Sequence, residues 1–188
     1  MARTRRWTRR EYDRLIEQGF LHEDEPVELV GGQLMVAEPQ GSEHAVGVSL
    51  GARALGRAFG SNWYVMVQLP IALDEESEPE PDIAVVPGDP RDYRDGHPSR
   101  PVLVVEVAES TLSFDRQDKG GLYARARLQD YWIVNLVDRV LEVYRLPAPA
   151  PGVPFGWAYQ QVLRLGPQAS VSPVAAPGSA VAVADLLP

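Results

Sequence analysis

A strand that is apolar on both faces, set among segments of alternating helical and β periodicity, predicts an α/β (α+β) fold with one central mixed sheet flanked by helices. That strand is VLVVEV at 102–107. The order read along the chain is helix, hairpin, helix, strand, strand, strand, helix, hairpin. At 188 residues, 45% of them apolar, the chain suits a single domain over 1–188 with a sizeable core.

Each element has its own warrant. Thr8-Arg9-Arg10-Glu11 has the form of a capping box, and Tyr12, Leu15 and Ile16 follow at helical spacing, so the first helix is expected over 9–18 with Gly19 as its stop. VELVGGQLMV reads as a hairpin, because Gly31-Gly32 can supply the positive φ angles of a two-residue turn. From Ser42 to about Phe59 the stripe Val46, Leu50, Ala54 and Ala58, with Leu55 beside it, predicts a second helix ended by Gly60. WYVMVQLPIAL (63–73) is β-rich. The acidic, Pro-broken DEESEPEP after it is expected to be an exposed loop, and DIAVV a short strand opening at Asp82. A Pro/Gly-rich stretch leads to VLVVEV, and a helix is expected over about 114–128. YWIVNL and RVLEVYRL flank Val137-Asp138 as a second hairpin. Beyond Leu146 come an excursion to Phe155, a late strand WAYQQVLRL, and a loop whose terminal VAVADLL packs back.

Composition removes several kinds of chemistry. With no cysteine, disulfides, thiolate metal sites and a cysteine nucleophile are unavailable. His22, His44 and His97 lie too far apart in sequence to form a close-spaced zinc motif. The apolar runs are too short to span a bilayer and no signal-peptide core follows Met1, so the expectation is a cytoplasmic protein with no membrane partner. A net charge of −8 argues against a surface that grips nucleic acid all round. The charge is uneven: residues 1–14 carry Arg3, Arg5, Arg6, Arg9, Arg10 and Arg14 against Glu11 and Asp13, which makes this segment +4 and the remainder −12. It reads as a solvated helix face or as a phosphate-contacting arm.

Three residues stand out for chemistry. Alternation in VLVVEV puts Val102, Val104 and Glu106 on one face of a covered strand, and a buried carboxylate needs a partner or a proton. Glu106 is either a strand-end residue reaching solvent or an arginine, or part of a site. Asp82 opens the preceding strand; if the two strands are neighbours, the carboxylates converge into an oxygen-rich site suited to Mg²⁺ or Mn²⁺. Lys119 is the only lysine, against seventeen arginines. It shares a helix face with Leu122, Tyr123 and Ala126, so it aims at the sheet. An Asp115–Lys119 surface pair would be served equally well by arginine, whereas a compact ammonium beside a metal site would not. Gly120-Gly121 marks either a close backbone approach or a weak helix.

PDIAVV, VLVVEVAESTLSFDRQDKGGLYARARLQDYWIVNL, VELVGGQL and EPQGSEHA together resemble the Uma-two family of restriction endonuclease-like proteins, in the PD-(D/E)XK nuclease superfamily. The resemblance covers roughly 8–145, leaving 146–188 as a C-terminal extension. It implies a restriction-endonuclease-like core and a divalent-metal phosphodiesterase site. Asp82 matches the Asp of the PD motif, Glu106 the acid of the next strand, and Lys119 the motif lysine, displaced from its usual place two residues after the acid, where this chain has Ala108. Glu28 and His44 match further characteristic positions. The implied function is Mg²⁺-dependent (or Mn²⁺-dependent) hydrolysis of phosphodiesters in DNA. Asp82 and Glu106 would hold the metal, Lys119 would orient the nucleophile or offset charge, and His44 or Glu28 would assist. A non-catalytic interaction protein and a hydrolase of a small phosphorylated compound are the alternatives. A homodimer would suit double-strand cleavage, with the 131–145 hairpin as its edge.

Overall fold

The computed structural model describes residues 4–21, 26–37 and 39–188; Arg3 and His22 lie outside them. The capping box forms: helix α1 (Arg9–Glu17) starts where the Thr8 hydroxyl accepts from Glu11 N–H and the Glu11 carboxylate accepts from Thr8 N–H. Strands β1 (Val27–Val30) and β2 (Gln33–Val36) turn through Gly31 and Gly32 at φ 56° and 78°.

Helix α2 (Ser42–Phe59) ends at Gly60 as expected, but its buried face differs from the predicted stripe. His44, Gly47, Val48, Gly51, Leu55 and Phe59 face inward, while Val46 is exposed. The cause is close packing through glycine, which a hydrophobicity pattern does not register. A Cβ on Gly47 would lie 2.9 Å from Val107 Cγ1, and one on Gly51 2.6 Å from Ile83 Cδ1. This rotation brings His44 to the ends of the central strands.

The central sheet has six strands in the order β3-β4-β5-β6-β7-β8: Trp63–Val67, Ile83–Pro87, Leu103–Ala108, Asp130–Asn135, Val140–Pro149 and Trp157–Leu165. The β5–β6 pair is parallel and every other pair antiparallel, so the sheet is mixed. Between β5 and β6 the chain runs through α3 (Leu112–Phe114), a π-helical turn (Asp115–Lys119) and α4 (Gly120–Arg125). Val105 and Val107 of β5 pack on the α2 side with Ile83, Trp132 and Leu186. Val104 packs on the opposite side with Ala84, Tyr123 and Tyr131. A short ladder, β9 (Ser170–Val171) with β10 (Val181–Ala182), precedes Val183, Leu186 and Leu187, which return to the core as expected. Among the described residues, no helix is long and apolar enough to cross a membrane.

Three further expectations change. The β-rich run 63–73 stops at Val67, because Gln68 adopts φ 49°. The acidic loop is not simply exposed: Ser77 and Glu78 are buried, Glu78 exchanges backbone hydrogen bonds with Leu29, and Glu76 and Glu78 pair with Arg6 and Arg9. Two of its carboxylates thus face arginines of the N-terminal segment, Asp74 pairs with Arg125, and Glu80 lines the cleft that holds Glu28. The 131–145 hairpin is interior rather than an edge, since β8 lies along β7; the open edges belong to β3 and β8.

Candidate active site

Asp82 and Glu106 meet because β4 and β5 are antiparallel neighbours, with Ile83 opposite Val105. One residue before the start of β4 therefore lies beside one near the end of β5. Asp82 N–H donates to Glu106 Oε2 (3.3 Å), and Val107 N–H donates to Asp82 Oδ2 (2.8 Å). Both carboxylates are buried, at 7% and 3% exposure. The strand-end reading of Glu106, in which it reaches solvent or an arginine, does not hold.

Lys119 completes the group. Its ammonium lies 3.1 Å from Glu106 Oε1 and 3.3 Å from Glu28 Oε1, and its side chain is only 8% exposed. The surface pair with Asp115 is absent. Gly120 N–H reaches the carbonyl of Asp115, five residues back, which makes a π-helical turn; such turns recur at functional sites. Both Asp115 and Lys119 are buried within it. The double glycine answers to close approach: a Cβ on Gly121 would lie 2.7 Å from the carbonyl oxygen of Pro154.

Glu28 enters from β1, where its Oε2 accepts from Glu80 N–H (3.0 Å). His44 enters from the first turn of α2, with Nε2 3.1 Å from Asp82 Oδ2 and Nδ1 buried without a hydrogen-bond partner. All five residues singled out in the sequence thus line one cleft of about 740 Å³. Sequence reasoning missed Tyr123, whose hydroxyl donates to Glu106 Oε1 (2.8 Å), and Asp115, which accepts from Thr111 Oγ1 (2.5 Å). It also missed Gln68, whose amide reaches Asp82 Oδ1 (3.3 Å). Spacing held a signal for two of them, since Asp115 and Tyr123 stand four residues before and after Lys119.

The cleft carries surplus negative charge. Among the described residues Glu28, Glu80, Asp82, Glu106, Glu109 and Asp115 line it, against Lys119 and His44, and no arginine does. Burial, reinforced by Asp82, Asp115 and Glu28 and only partly opposed by Lys119, pushes the Glu106 carboxyl up to about 8. Burial likewise lifts Asp115 to about 6 against the pull of Lys119 and Thr111. Burial disfavours the Lys119 ammonium, but Glu106, Glu28 and Asp115 outweigh it and hold its pKa above the ordinary lysine value. Lys119 is therefore a fixed cation in a pocket with more acids than it can neutralise.

That imbalance suits a second cation. Asp82, Glu106 and Glu28 offer hard oxygen donors, and a carboxylate has more lone-pair sites than these hydrogen bonds use. Among the described residues no three His, Asp or Glu side chains already surround a common point. The donor set fits a divalent ion by charge and chemistry, and holding one requires some of the present hydrogen bonds to give way.

The chain matches the family model Uma2, described as "Putative restriction endonuclease", over residues 9–184. Among solved structures it resembles a protein described as a putative nuclease belonging to DUF820 from Anabaena variabilis ATCC 29413. The two are 19% identical, with a TM-score of 0.62, over 92% of this chain and 96% of that one. No curated protein matches.

Proposed function

The chain belongs to the Uma2 family of restriction endonuclease-like proteins, and from that membership and the cleft we propose a divalent-metal-dependent endonuclease hydrolysing phosphodiester bonds in DNA. Family and fold already point to a nuclease-like function. The observation that carries the finer reading is the buried meeting of Asp82 and Glu106, with the Lys119 ammonium 3.1 Å from Glu106.

In this reading Asp82 and Glu106 hold Mg²⁺ or Mn²⁺. When bound, the cation supplies Lewis-acid stabilisation of charge on the phosphate. Lys119 offsets the negative charge that builds up on the phosphoryl oxygens as water attacks phosphorus and the ester P–O bond breaks. Glu28 steadies the ammonium together with Glu106, and His44 orients Asp82 through Nε2. Closing the site within the fold keeps these charges from being screened by bulk water.

The test is incubation of plasmid and oligonucleotide with Mg²⁺ or Mn²⁺ and the wild type, Asp82→Ala or Lys119→Ala. Cleavage by the wild type, reduced roughly a hundredfold or more in either variant, is expected. Equal nicking by all three would mean that the activity is not theirs. The lack of arginine among the described residues of the cleft wall favours a second reading, hydrolysis of a small phosphorylated compound. Turnover of bis-p-nitrophenyl phosphate without cleavage of any oligonucleotide would select it.

A further inference from the structure

Next to the acidic cleft lies a second one of about 240 Å³ with a different character. Its walls include Arg6, Arg125, Phe114 and Phe155, with Asp118 the single acid among the described residues. The two clefts share Met35 and Phe114, and the Phe114 ring centroid is 6.0 Å from Lys119 Nζ. The Arg125 guanidinium sits 4.8 Å from the centroid of the Phe155 ring.

Phe155 is held there at a cost. It adopts φ 59°, a left-handed conformation unfavourable for an aromatic residue, and such strain persists where surrounding structure imposes it. Gly31 makes room for its ring and Gly121 for the backbone just before it: a Cβ on Gly31 would lie 2.3 Å from Phe155 Cε1, and one on Gly121 2.7 Å from Pro154 O. The loop is thereby wedged between the hairpin that carries Glu28 and the helix that carries Lys119.

We propose that this second cleft is a subsite for the nucleotide adjoining the scissile phosphate, and that it takes an unpaired strand: the base stacks against Phe155 and Phe114, and its phosphate is met by Arg125 and Arg6. The inference rests on the nuclease reading and says which form of nucleic acid the site engages. Aromatic rings and guanidinium planes beside one another are the means by which proteins hold single strands, and a base paired within a duplex is not free to enter. The subsite supplies the positive charge that the cleft around Lys119 lacks. In the structure Arg125 pairs with Asp74 (2.6 Å) and Arg6 with Glu76 (3.2 Å), both of the acidic loop. These are partly exposed pairs of the weak, salt-screened kind, so a phosphate can displace the carboxylates.

Fluorescence anisotropy with a labelled oligothymidylate in Ca²⁺ buffer measures binding without relying on turnover. The expected result is tighter binding of the single strand than of a duplex of the same length, weakened about tenfold by Phe155→Leu. Arg6→Gln is expected to weaken it several-fold and lower the slope of log K against log salt by about 0.7, the loss of one phosphate contact. Arg57→Gln, at the far end of α2, serves as the comparison for a change of surface charge alone. Should Phe155→Leu fail to fold, the exposed Arg6 carries the test. Unchanged affinity and salt slope in Arg6→Gln, a preference for duplex, or no binding by the wild type would overturn the subsite. Binding as expected without cleavage in Mg²⁺ or Mn²⁺ would instead sink the nuclease reading.

Discussion

Lys119 draws its leverage from its neighbours. A lone lysine among seventeen arginines is a compositional oddity, and that much is visible in the sequence. What the sequence does not reveal is that Glu28, from a hairpin 91 positions earlier, shares the ammonium with Glu106. Side-chain convergence across such separations depends on tertiary packing. A consequence follows for pH. Folding raises the Glu106 pKa from 4.5 to about 8, so between those values the folded state binds a proton that the unfolded chain does not. The contribution of Glu106 to stability in the absence of metal is therefore fully present below pH 4.5 and is lost as pH rises toward 8. Glu142, where bonds to Arg116, Tyr144 and Asn135 together outweigh burial and lower the pKa from 4.5 to about 2, acts in the opposite direction only below 4.5. Asp115, raised from 3.8 to about 6, acts in the same direction as Glu106 at lower pH. Urea unfolding in EDTA at pH 5, 6.5 and 8 is expected to show this decline, and Glu106→Gln to flatten its upper part. A wild-type stability that rises from pH 6.5 to 8 would contradict the charge balance described for the cleft.

At the level of elements, capping and turn chemistry were legible because they are local. The Thr8–Glu11 box and the Gly31-Gly32 turn formed where the residues indicated. Features set by partners were not. The inward face of α2 follows Gly47 and Gly51, which a search for apolar side chains passes over. The acidic loop looked solvated because its arginine partners lie far away in sequence, and the π-helical turn before Gly120 has no signature in residue type. Gly121 and Gly120 now make separable predictions. Alanine at 121 meets backbone oxygen at 2.7 Å, so overpacking of about 1–3 kcal/mol outweighs the gain of up to about 1 kcal/mol in helix propensity. Alanine at 120 has its nearest neighbour at 3.3 Å and should be nearly neutral. Thermal melts of the two variants check the order: Gly121→Ala lower, Gly120→Ala close to wild type.

For the whole molecule, the alternation within VLVVEV was enough to predict a covered central strand and the side on which Glu106 lies. The strand order was less accessible. β8 pairs along the length of β7 and makes the second hairpin interior, a long-range pairing that the late strand's sequence does not specify. The C-terminal segment is also more firmly tied than an extension suggests. Asp130, fully buried, accepts from Trp132 Nε1 and Arg145 Nε (2.8 Å each) and from Val174 N–H (2.8 Å), and so joins β6 and β7 to the returning chain. Asp130→Ala leaves the largely buried Arg145 without its counter-ion and is expected to cost roughly 3–5 kcal/mol. Hydrogen exchange should show the loss of protection reaching residues 171–186; protection unchanged there would mean that apolar packing alone secures the segment.

The proposed nuclease chemistry turns on a cation held by Asp82 and Glu106 beside Lys119. Calorimetric titration with Mn²⁺ of the wild type, Asp82→Ala and the exposed-loop variant Glu75→Gln, with folding checked by circular dichroism, tests it most directly. Saturable binding to the wild type and to Glu75→Gln, lost in folded Asp82→Ala, is the expected result. No binding by the wild type, or undiminished binding by Asp82→Ala, would contradict it.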